Sequence, residues 1–199
     1  MATPPDDSQG ERFRRVAGTF TSLAAAVPPE GWNRPAPCAG WSARDIVRHL
    51  VDWVPAVIGR SGLAFASGPG VDDDPAGAWA AVARTLQAAL DDPAVAARTF
   101  DAGPPGELRI DTAIGMLVLG DVLVHSWDLA VATGQHADLD ERMAAEMLAG
   151  MEPIDELLRG SGHYGPRVPA DPDADAVSRL VAFTGRDPGW TPPPPDGQS

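Results

Sequence analysis

Between Asp111 and Thr133 the chain is apolar on almost every side of a helix, yet it carries Asp121 and His125 in its middle. The run Met116-Leu117-Val118-Leu119-Gly120-Asp121-Val122-Leu123-Val124-His125-Ser126-Trp127-Asp128-Leu129-Ala130 has no polar stripe wide enough to face water. A helix of this kind is stable only inside a bundle. A spacing of four puts Asp121 and His125 on one face, one turn apart. Burying a carboxylate and an imidazole together is costly unless something compensates. An ordinary hydrogen bond between the two is the commoner compensation. A divalent metal is the other, since both groups are among its usual ligands. Asp128 comes three residues after His125, where it can accept from the far imidazole nitrogen. Gly134 is a natural helix stop.

The remaining pattern supplies partners for that central helix. A first helix is expected from about Gln9 to Ala26, with Phe13, Val16, Ala17, Phe20, Leu23 and Ala24 at helical spacing and Pro28-Pro29 ending it. A Trp- and Pro-containing loop then leads to Ser42, an N-cap with Asp45 three residues on. The second helix is expected from Ala43 to about Ala66, kinked at Pro55, with Ile46, Leu50, Trp53 and Val57 inward and His49 at the edge of that stripe. A third runs from Pro75 to about Leu90. Thr99 to Ile110 reads as a short hairpin or an extended detour. A fifth helix is expected from about Asp140 to Leu158 with Pro153 kinking it, and a short one from Ala174 to Thr184. The expected fold is all-α: an up-and-down four-helix bundle with additional short C-terminal helices.

Length and charge narrow the function. The 199 residues read as one folded unit, 9–190, between a disordered N-terminus, 1–8, and a Pro-rich disordered tail, 191–199. The net charge of −13 argues against nucleic acid and anionic membranes as partners. No apolar run reads as a membrane span, and the first residues lack the basic and apolar parts of a signal peptide. With a lone cysteine, Cys38, unable to form an internal disulfide, the reading is a cytoplasmic protein.

His49, Asp121 and His125 together make a set of two imidazoles and one carboxylate. Three protein ligands leave coordination positions open, as catalytic metal sites do. Zn, Ni, Fe(II) and Mn all accept these ligands. Cys38 precedes a helix N-terminus, where a thiolate is favoured. The simpler reading is a small buried residue packing the loop, since a fourth ligand would close the site. His136 and His163 read as surface residues. Trp32, Trp41, Trp53, Trp79 and Trp127 read as core or pocket walls. No phosphate-binding Gly loop, Gly-x-Ser-x-Gly elbow or paired-Cys motif is present.

The segment Pro37-Cys38-Ala39-Gly40-Trp41-Ser42-Ala43-Arg44-Asp45-Ile46-Val47-Arg48-His49-Leu50 resembles the opening signature of the mycothiol-dependent maleylpyruvate isomerase-like proteins, within the DinB/YfiT-like superfamily. Asp121 to Gly134 is similar to their second signature. Leu180 to Trp190 is similar to the C-terminus of one actinobacterial branch. The resemblance covers nearly all of residues 10 to 190. It implies a DinB-like bundle with His49, Asp121 and His125 on one divalent metal; Zn or Ni is expected foremost, Fe or Mn otherwise. Asp121 stands where the founding isomerase type has a Glu. Members of the family divide among thiol transferases, thiol-dependent isomerases and many of unknown activity, and the leading expectation is a low-molecular-weight thiol, mycothiol, acting on a small-molecule electrophile. The absence of Lys and the abundance of Ala, Gly and Pro fit the high-GC genomes in which mycothiol is found. The thiol's polar body is expected on the loop before Ser42, near Arg60, and along His163 to Arg167. A metal-dependent hydrolase and a non-catalytic metal-containing binding protein are the alternatives.

Overall fold

Ser8 opens the first helix, α1 (Gln9–Ala25), by a reciprocal cap in which Ser8 and Glu11 satisfy each other's backbone amides. The computed structural model describes residues 8–160 and 164–193, so most of the two ends expected to be disordered lies outside the described residues. The buried face of α1 is the expected one, Phe13, Val16, Ala17, Phe20, Leu23 and Ala24.

The second helix, α2 (Ala43–Ile58), starts at the expected cap. Asp45 Oδ2 accepts from the Ser42 amide at 2.9 Å, and Ser42 Oγ accepts from the Asp45 amide. It ends well short of Ala66. A 3₁₀ turn, Gly59–Ser61, comes next, and Gly62 at φ 79° reverses the chain in a backbone region other residues avoid. The third helix, α3 (Pro75–Asp91), is capped by Asp74 with Pro75 in its first turn. A short α4 (Pro93–Ala96) leads into β1 (Thr99–Asp101) and β2 (Glu107–Arg109), an antiparallel hairpin with Phe100 opposite Leu108.

The central helical run, Ile110–Thr133, is not uniform. It consists of α5 (Ile110–Ala113), one π turn (Ile114–Val118) and α6 (Leu119–Thr133), and stops at Gly134, φ 70°. Contrary to expectation, it is long and apolar enough to cross a bilayer, but 61% of its most apolar stretch is buried inside the protein. Beyond it, Pro153 breaks the expected fifth helix into α7 (Glu141–Met151), a 3₁₀ turn and α8 (Asp155–Gly160). The last element is α9 (Ala176–Phe183).

The architecture is the expected all-α, DinB-like bundle. Helices α1 and α2 each pack on both α3 and α6, so α1 and α2 stand diagonally. The loop between them therefore crosses an end of the bundle, carrying Cys38 and Trp41 with it. Outside the bundle α9 packs on α7, burying Leu180, Val181 and Phe183.

Candidate metal centre

The facing sides of α2 and α6 bring His49, Asp121 and His125 together. His49 Nε2 lies 3.2 Å from Asp121 Oδ2, and His125 Nε2 lies 3.5 Å from Asp121 Oδ1. One donor atom from each residue lies within 4.8 Å of the other two. Ligands at about 2.0–2.2 Å from one ion sit roughly 3–4 Å apart, so this spacing is close to what a shared cation requires. His125 is buried; His49 and Asp121 are half-buried and open towards solvent.

Each side chain is held from behind. His125 Nδ1 lies 2.8 Å from Oδ2 of Asp128, which is completely buried. Trp53 Nε1 donates to Asp121 Oδ2 at 2.9 Å. The Trp41 ring stacks on His125 at 5.9 Å between centroids and tilts over His49 at 5.2 Å. Trp41 and Trp53 thus wall the site, whereas Trp32 and Trp79 are core. Burial works to raise the Asp121 carboxyl, but His125, His49 and Trp53 outweigh it and hold it below the usual range, ionised at neutral pH. Tyr164, brought in by the C-terminal segment, is raised by burial first and by the Asp121 carboxylate next.

Asp128 has a second partner that sequence reasoning missed. Arg186, just past α9, donates from Nε to Oδ1 at 2.9 Å and from Nη2 to Oδ2 at 2.7 Å. Burial opposes the Asp128 charge, yet His125 and Arg186 together lower its carboxyl to about 2. The available signal was indirect: a buried acid demands a cation, and Arg186 is the arginine just after the apolar run of the C-terminal motif.

Cys38 differs from the expectation. Its Sγ is not apolar filler but lies 3.5 Å from Asp128 Oδ2 and 3.3 Å from Arg186 Nη2. Burial first, and Asp128 next, push the thiol up to about 12, opposite to activation by a helix N-terminus. Cys38, His125 and Asp128 form a second cluster at ligand spacing among the described residues. The Arg186 guanidinium already supplies its positive charge, so a cation there would face direct repulsion.

Arg60 lies in the 3₁₀ turn beyond the end of α2 and pairs with Asp101 of the hairpin at 3.5 Å. His136 is exposed, as expected, and His163 lies outside the described residues.

Residues 13–62 match the family described as Mycothiol maleylpyruvate isomerase N-terminal domain. The uncharacterized protein Rv0738 of Mycobacterium tuberculosis H37Rv is 32% identical over 175 residues, 87% of this chain and 94% of the relative. The uncharacterized protein MT0763 of strain CDC 1551 matches to the same extent, 32% over 175 residues, 87% of this chain and 94% of its own. No solved structure matches significantly.

Proposed function

Because the chain belongs to the mycothiol-dependent maleylpyruvate isomerase-like family, we propose that it is a cytoplasmic, metal-dependent enzyme that uses a low-molecular-weight thiol, mycothiol, on an electrophilic small molecule. The reaction is S-transfer to that electrophile or its thiol-dependent isomerisation. The observation that carries this reading is the convergence of two imidazole Nε2 atoms and one ionised carboxylate at the open side of a buried helix pair.

The donor set fits a divalent cation. With Nδ1–H of His125 on Asp128, its Nε2 lone pair faces Asp121, as a ligating imidazole requires. His49, Asp121 and His125 would hold the ion, with Zn or Ni favoured and Fe or Mn compatible. Such an ion, when bound, supplies Lewis acidity that lowers the pKa of a thiol sulfur. Asp128 keeps the His125 ring fixed, Trp53 keeps Asp121 turned inward, and Trp41 covers the imidazole faces against water. The thiol's polar body is assigned to the loop before Ser42 and to residues 164–167. Arg60, paired with Asp101 of the hairpin, is the third element assigned to it.

The test is consumption of monochlorobimane with and without mycothiol and with and without chelator, after metal analysis. Thiol-dependent, chelator-sensitive turnover is expected. Metal-dependent hydrolysis of ester or amide substrates without thiol would point to the hydrolase. Stoichiometric metal with neither activity nor mycothiol binding would point to a binding protein.

A further inference from the structure

Asp128 has no exposure at all, and its two shortest contacts come one from its own helix and one from far along the chain. His125 reaches it from one helical turn back. Arg186 reaches it from beyond α9, where Gly185 at φ 94° turns the chain inward; a Cβ at Gly185 would stand 3.0 Å from the Gly165 Cα, so a side chain there would be both strained and crowded. The guanidinium lies side-on to the carboxylate, with two parallel hydrogen bonds, and its Nη2 also donates to Cys38 Sγ. A side-on fork fixes the plane of a carboxylate as a point charge does not. With Nε and Nη2 directed inward and the side chain 14% exposed, Arg186 is not placed to receive a substrate anion through that edge.

We infer that Arg186 is a positioning residue for the metal centre. Acting through Asp128, it holds His125 in the tautomer that carries its proton on Nδ1 and leaves the Nε2 lone pair facing Asp121 and His49. Removing the fork frees the Asp128 carboxylate to turn. The His125 proton can then sit on Nε2 and be donated to Asp121, 3.5 Å away, which closes the lone pair a metal needs. The consequence for metal affinity rests on the proposed metal centre; the tautomer itself does not.

The experiment pairs two readouts. The first is the His125 tautomer in the metal-free protein, by long-range ¹H–¹⁵N correlation NMR. The second is affinity for aqueous Co(II) against a competing chelator. Wild type is expected in the Nδ1–H form. Arg186→Ala should shift His125 towards Nε2–H and lower Co(II) affinity about 10- to 100-fold, the usual scale for losing an outer-shell partner. Arg186→Lys keeps the charge without the fork and should fall between, and it decides the matter should the Ala variant not fold. Phe183→Leu, which loosens α9 without touching the relay, should lower the melting temperature and change neither readout. The inference is overturned if Arg186→Lys and any folded Ala variant keep the Nδ1–H form and full affinity. It is equally overturned if Phe183→Leu shifts the tautomer as far as the Arg186 variants do. If wild type holds no Co(II) but the tautomer still depends on Arg186, the metal centre falls and the positioning role stands.

Discussion

Each imidazole of the centre has two nitrogens, and His125 has its second one engaged by a fully buried acid. That arrangement separates three kinds of residue, and substitution should sort them. His49→Ala and His125→Ala should each abolish metal retention through dialysis, read by elemental analysis, while Cys38→Ser retains the metal. Loss in Cys38→Ser with retention in His49→Ala would reverse the assignment. Cys38 itself should be inert: with its thiol near 12, the thiolate fraction at pH 8 is about a thousandfold below that of an ordinary cysteine, and iodoacetamide labelling of the folded protein should slow accordingly. Asp128 gives a pH signature. Its carboxyl lies at about 2 instead of 3.8. A depressed carboxyl contributes stability that is complete above about pH 4 and is lost as pH falls through the folded value. The urea midpoint of the wild type should therefore drop between about pH 4 and pH 2, and that of Asp128→Asn should drop less.

The π turn is the feature of the central helical run that most affects where the side chains of α6 point. A π turn inserts one residue into a helix and rotates the downstream side chains relative to the upstream ones. Upstream, Ile110, Ala113 and Ile114 are buried; downstream, Val118, Val122, His125 and Leu129 are buried. Both sets face the core because Met116, 64% exposed, bulges out between them. Deleting Met116 would restore a uniform α-helix and turn one set away from the core. Since exposing or misplacing one buried Ile or Leu costs about 2–5 kcal/mol, the deletion should lower unfolding free energy by at least about 2 kcal/mol. Met116→Ala should stay within about 0.5 kcal/mol of wild type. Equal stability of the two variants in chemical denaturation would show that the π turn has no role in register.

At the scale of the molecule, the charge of −13 sets a long-range repulsion that the surface ion pairs, such as Arg12–Glu146 and Arg48–Asp72, counter only locally. Screening at about 1 M salt shortens the reach of charge to roughly 3 Å, from about 30 Å at 10 mM. The melting temperature should rise with sodium chloride across that range. A fall would mean that attractive pairs outweigh the net repulsion.

Elements set by local chemistry were legible in the chain. The Ser42–Asp45 cap, the Pro75 start, the Gly134 stop and the apolar stripe of α1 arise from preferences that act within a few residues. The approach of His49 to Asp121 and His125 was legible too, because a buried carboxylate–imidazole pair calls for a partner and the motif resemblance named one. The end of α2 at Ile58 and the reversal at Gly62 were missed because a single glycine reads as tolerable within a helix until its backbone angle is known. Arg186 and the polar surroundings of Cys38 were decided only by the tertiary structure. Asp128 needed a cation, but which arginine meets it depends on α9 packing on α7 and on Gly185 approaching Gly165, contacts between segments far apart in sequence that no local preference encodes.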